Sequence, residues 1–177
     1  YVLPCLKKTN NVYKACGFKI DMIHADDEFK SLRDPLLEHL GSNLNVAATN
    51  EHVPEAERII RTIKERNRAV VHGLPFTHFP KIMKIDLVSN CATWLNMFPH
   101  DDGVSKTLSP QAIVTGTNVD FDIHCRIPFS AYCEVHNENS PSNTETARTS
   151  QAIALNPTRN LHGAYRFLSL KMGQRIT

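Results

Sequence analysis

The stretch Asn50-Glu-His-Val-Pro-Glu-Ala-Glu-Arg-Ile-Ile-Arg-Thr-Ile-Lys-Glu-Arg-Asn-Arg-Ala-Val-Val-His-Gly-Leu74 governs how the rest of the chain is read. Asn50 or Thr49 can cap a helix here, and Pro54 suits the first turn, where a missing N–H costs nothing. Gly73 followed by Pro75 ends it. At about 100° per residue, Ile60, Ile63, Val70, Val71 and Leu74 fall on one side and form an apolar stripe of helical period. Glu57, Arg61, Lys64 and Arg68 form a second, narrow row beside it.

That row has two readings. In one it is a solvated face, with Glu57 and Arg61 an ordinary i,i+4 pair worth about 0.3 kcal/mol. In the other it is a cradle for a polyanion. From Glu57 to Arg68 there are five basic and two acidic residues, a local net of +3, which would draw a nucleic acid backbone. The whole chain carries only +2, so a nucleic-acid case must rest on this local clustering and not on overall charge.

Working outward, 177 residues can bury a sizeable core, and 41% hydrophobic with 21% charged residues is the composition of an ordinary soluble protein. No run approaches the roughly 20 apolar residues of a membrane span, and nothing resembles a signal peptide, so a soluble, intracellular protein is expected. Five cysteines without C-x-x-C spacing disfavour both a disulfide framework and a zinc site.

Upstream, residues 1 to 16 read as the end of a helix closed by Gly17. Phe18 to Ala25 reads as a strand, Glu28 to Leu40 as a helix closed by Gly41, and Leu44 to Ala48 as a second strand. The order helix, strand, helix, strand, helix is an α/β pattern. Such sheets place their chemistry beyond the carboxyl ends of the strands, where Asp26 falls. Downstream, Lys81 to Phe98 is expected to be a helix with Ile82, Ile85, Val88, Ala92 and Leu95 inward, and Trp94 and Cys91 beside that stripe as core. Ser109-Pro110 starts a short helix that Gly116 ends. Past residue 125 come short β segments, 131–136, 151–155, 164–170 and 174–177, with a tight turn at Lys171-Met172-Gly173-Gln174. The expected organisation is an α/β part over 1–124 and a small barrel-like β part over 125–177.

Asp26 and Glu57, at a strand terminus and in the first turn of a nearby helix, are the carboxylates that could meet. Paired acids hold hard divalent cations, and phosphoryl transfer uses such ions to activate the nucleophile and steady the leaving oxygen. Other clusters are weaker. His52 with Glu55 and Glu57 is not H-E-x-x-H, and His100-Asp101-Asp102 reads first as a solvated loop. Asp101-Asp102-Gly103 lacks the remaining ligands of a calcium loop, and Cys125 and Cys133 with His124 and His136 have no metal-ligand spacing.

The run Asn50-Glu51-His52-Val53-Pro54-Glu55-Ala56-Glu57-Arg58-Ile59-Ile60-Arg61-Thr62 is similar to the segment ending in E-R-x-I-R-T in the integrase part of copia-type retrotransposon polyproteins. Leu108-Ser109-Pro110-Gln111-Ala112-Ile113-Val114-Thr115-Gly116 resembles that family's S/T-P-x-x-x-x-x-G element, and Trp94-Leu95-Asn96-Met97-Phe98-Pro99 the helix before it. The resemblance implies a partial ribonuclease H-like core and a small C-terminal β-barrel. It also implies DNA strand transfer with Mg²⁺ or Mn²⁺, a homo-oligomer acting on DNA in the nucleus, and no membrane. By position Glu57 matches the last acid of the D,D-35-E site and Asp26 the middle one, both as catalytic residues and metal ligands. Arg58, Arg61, Lys64 and Arg68 fall where DNA contact is implied. Where the family has D-N-G-x-E-F this chain has Asp26-Asp27-Glu28-Phe29, shorter and without the glycine, so Asp27 competes with Asp26 as ligand. Nothing before Asp21 is acidic, and Asp21, five residues from Asp26 on one expected strand, points to the opposite face. The first acid is thus missing, and the expectation is a later piece of an integrase core, a polyprotein fragment or a decayed copy. The alternative is a non-catalytic DNA-binding remnant.

Overall fold

The structure, a computed structural model, describes residues 2–48, 53–136, 145, 147–160 and 162–177. The chain divides into two compact units, Tyr1–Thr62 with Gln111–Thr117 and Ile63–Pro110 with Asn118–Thr177. Together they make a mixed α/β protein.

In the first unit, α1 (Val2–Ala15) accommodates Pro4 in its first turn and ends on Gly17, whose φ of 82° needs no side chain. Phe18 N–H reaches back to Tyr13 O and Gly17 N–H to Lys14 O, while the Tyr13 and Phe18 rings meet edge-on at 6.3 Å. This is a Schellman closure with its apolar clasp. It also explains why the strand expected from Phe18 is shorter: β1 is only Met22–Ala25, because Phe18 is spent on closing the helix.

Asp26 follows β1 directly and caps a 3-10 turn (Asp27–Leu32) through its side chain, which accepts from Asp27 N–H at 2.8 Å. The chain then tightens into α2 (Arg33–Leu40), where Pro35 falls within the first turn and therefore removes no intrahelical hydrogen bond. Gly41 ends α2 at φ 67°. β2 (Asn43–Val46) pairs with β1 in parallel, Met22 opposite Asn43 and Ala25 opposite Val46, as a strand–helix–strand crossover requires. Buried Ser42 donates to Ile20 O at 2.6 Å and pins the entry to the sheet. Leu36, Leu40 and Leu44 are the buried centre, with Leu3 and Leu6 of α1 and Ile23 and Val46 of the strands around them.

α3 runs Pro54–His72. Thr49 and Asn50, the expected caps, lie outside the described residues, as do Glu51 and His52. Gly73 closes the helix by donating to Ala69 O and Val70 O. α5 (Pro110–Thr115) begins on proline and ends at Gly116, φ 70°.

In the second unit, α4 (Lys81–Met97) packs against β4 (Thr149–Pro157) of a four-stranded antiparallel sheet. The strands are β3 (Tyr132–His136), β4 (Thr149–Pro157), β5 (Tyr165–Ser169) and β6 (Arg175–Ile176), in that spatial order. A short helix, α6 (Phe121–His124), precedes them, with the Ile123 N–H donating to the Asp120 side chain as its cap. The expected barrel is not closed: β3 bonds only to β4 and β6 only to β5 among the described residues. Closure needs strands long enough to tilt and shear, and β6 has two residues. Apolar cover comes instead from α4, with Met83 packed on Leu155 and Leu168.

The inward face of α4 also differs from the apolar stripe expected. Ile85 and Val88 are exposed, and Met83, Asp86, Leu87, Asn90, Cys91, Thr93 and Met97 are buried. The helix turns polar residues inward because the second unit satisfies them. Arg175 donates to Asp86 Oδ2 from Nε at 3.1 Å and Nη2 at 2.9 Å. Asp86 is 3% exposed at its side chain and Arg175 39%. Arg175→Ala is expected to cost about 2 kcal/mol in urea unfolding, below the usual figure for a fully buried pair because one partner reaches solvent. Arg175→Lys should recover part of it.

Candidate nucleic-acid interface

α3 is the longest helix among the described residues, and it buries no side chain fully. Ile63, Val70 and Val71 are half-buried, while Ile60 of the expected stripe is 51% exposed. Glu57, Arg58, Arg61, Lys64 and Arg68 are all exposed. Four of the five therefore hold their positive charge toward solvent along one helix, and the fifth is the acid near its start.

At that start a polar concavity of about 460 Å³ is lined by Pro54, Glu57, Arg58 and Arg61. Two guanidinium groups, together with the positive end of the helix dipole, favour an anion such as a phosphate. Glu57 puts a carboxylate among them. Asp26 is not among the described residues lining this concavity. Its carboxylate serves the backbone of the 3-10 turn, and Asp27 lies inside that turn. Asp21 precedes β1 and holds Lys19 at 2.6 Å, and the Lys19 ammonium is pushed up from its ordinary pKa by that hydrogen bond and charge.

Among the described residues, no three of His, Cys, Asp or Glu come together in an arrangement that could hold a metal ion. Both ring nitrogens of His124 lie at hydrogen-bond distance from backbone carbonyls, of Asp120 at 2.9 Å and Asn160 at 3.1 Å, and the Cys133 thiol donates to Ala131 O. His100 Nδ1 accepts from Asp102 N–H, folding the polar loop on itself.

A second hollow, of about 370 Å³, lies within the second unit between α3 and α4. Its signal in the sequence was slight: Arg66 stands off the cation row, and Trp94 passes for core. Cys91 sits in its wall, 4% exposed, and burial pushes its thiol pKa up while the Arg66 guanidinium opposes part of the rise. All five cysteines are free thiols, and only Cys5 is exposed. At pH 8, Cys5 is expected to react with a disulfide reagent within the mixing time, whereas Cys91 should react at least about a hundredfold more slowly until denaturant is added. Immediate modification of Cys91, mapped by mass spectrometry, would contradict that burial.

Fold and site define a mixed α/β protein whose longest described helix presents to solvent a row of cations with Glu57 at its head. No family model matches the chain, and no curated protein matches it either. No helix among the described residues is long and apolar enough to cross a membrane.

Proposed function

We propose that the chain belongs with the integrases of copia-type retrotransposons, with a ribonuclease H-like core, and that it binds DNA along α3. In the intact protein the reaction is metal-dependent strand transfer by a homo-oligomer in the nucleus. The observation that carries this reading is the exposed row of Arg61, Lys64 and Arg68 leading away from a concavity lined by Glu57 and Arg58. Cations spaced along one helix edge suit successive phosphates, and the helix start suits the one nearest the chemistry.

Asp26 and Glu57 alone do not make the oxygen shell that Mg²⁺ or Mn²⁺ requires, so metal chemistry needs a further acid and is assigned to the intact protein only. The engagement of Asp26 as a turn cap supports a second reading, a DNA-binding remnant that has lost its metal site.

Glu57→Gln separates the two. In this chain, without divalent ions, it removes a negative charge beside Arg58 and Arg61 and should tighten binding to duplex DNA about threefold, read by anisotropy of a labelled duplex. In a protein carrying an acidic strand upstream, Mg²⁺ should support joining of DNA ends and Glu57→Gln should abolish it. If such a protein binds DNA but never joins ends, the remnant reading stands. If the unsubstituted chain shows no salt-dependent DNA binding, both readings fall.

A further inference from the structure

The hollow between α3 and α4 has chemistry that the DNA reading does not use. Arg66, Ala69 and Val70, at i, i+3 and i+4, bring one face of α3 to it, Cys91 and Trp94 come from α4, and Phe129 from the segment before β3. These walls are apolar apart from the guanidinium, with the Asn90 amide beside the indole. The indole is already fixed. Its Nε1 donates to Asn90 Oδ1 at 3.1 Å, and it stacks on Phe98 at 5.3 Å and 7°, which in turn stacks on Phe121 at 5.2 Å and 20°. A wall ordered before any ligand arrives loses little entropy on binding. With the Asn90 acceptor bonded to the indole, Arg66 is the charged group left at the rim. It is exposed, and no carboxylate pairs with it among the described residues.

We infer that this cleft binds a planar aromatic anion, its ring against Trp94 and Val70 and its carboxylate or phosphate on Arg66. The volume suits one or two fused rings. Aromatic walls favour a flat ring over an alkyl chain, and a guanidinium pairs two-pronged with carboxylate or phosphate oxygens. A free aromatic acid and a single nucleotide share this chemistry.

Trp94 is the one tryptophan of the sequence, so its emission reports on the cleft directly. The protein is titrated with 4-nitrobenzoate, with the neutral 4-nitrobenzyl alcohol and with deoxyadenosine 5′-monophosphate, following quenching and, in parallel, heat. Saturable binding of an anion is expected, with the alcohol weaker by about tenfold or more, and Arg66→Gln should erase that difference. Ala69→Phe, at an exposed helix position, should fill the cleft and weaken both anions about tenfold with an unchanged circular dichroism spectrum. If that variant fails to fold, Arg66→Gln carries the test alone. Tighter binding of the nucleotide assigns the site to nucleotides, and tighter binding of the nitrobenzoate assigns it to free acids. Unsaturable quenching with no heat, or equal affinity for acid and alcohol in the unsubstituted protein, overturns the inference.

Discussion

Arg61, Lys64 and Arg68 replaced together by alanine should lower affinity for duplex DNA on the order of a hundredfold at low salt, and should flatten the plot of log affinity against log salt by about 2.7. The slope is the sharper reading. Each cation that neutralises a phosphate releases condensed counterions and contributes about 0.9 to it, so three residues in register with a backbone give a sum, while three residues merely close to DNA give less. All three side chains are exposed, so the substitutions should leave the unfolding free energy within about 0.5 kcal/mol of the unsubstituted protein. An unchanged slope would mean that this edge of α3 is only a wet surface, the plain reading its i,i+4 spacing also permits.

Leu36→Ala is the second large effect, expected to cost about 3–4 kcal/mol. Leu36 has no solvent exposure and stands at the centre of the first unit's small cluster with Leu40 and Leu44, ringed by side chains that are only half-buried. A core of so few closed residues has little reserve, because small units bury a small share of their surface. Truncation should leave a cavity lined by leucines that the parallel pair β1 and β2 cannot collapse into without shifting its register. Leu36→Met, nearly equal in volume, should cost less than about 1.5 kcal/mol. Urea unfolding followed by circular dichroism measures both, and a loss below about 1 kcal/mol for the alanine variant would show that the cluster does not hold this unit together.

Where backbone chemistry is local, the sequence was legible. Gly17, Gly41 and Gly116 were expected to end helices and each does so at positive φ. Pro110 begins its helix. The turn at 171–174 closes with Ser169 N–H on Gln174 O and Gly173 N–H on Ser169 O. The row on α3 was legible for the same reason, since 3.6 residues per turn place Glu57, Arg61, Lys64 and Arg68 along one edge whatever surrounds them. The inward face of α4 was not. Apolar spacing pointed to Ile85 and Val88, but a helix turns toward whatever its partner can satisfy, and the partner guanidinium for Asp86 lies 89 residues further along the chain. Phe18 illustrates a smaller version of the same limit: it alternates like a strand residue, yet its ring is worth more as the clasp on α1.

Sequence by itself determined where the glycine-closed helices α1, α2, α3 and α5 stop and which charges ride on the outside of α3, because turn stereochemistry and helical pitch act over a few neighbours. Tertiary structure alone decided that the C-terminal strands remain an open sheet covered by α4, and that Arg66 and Trp94 share one cleft. Those outcomes depend on free energies of burial and pairing between residues distant in the chain, which no local pattern encodes.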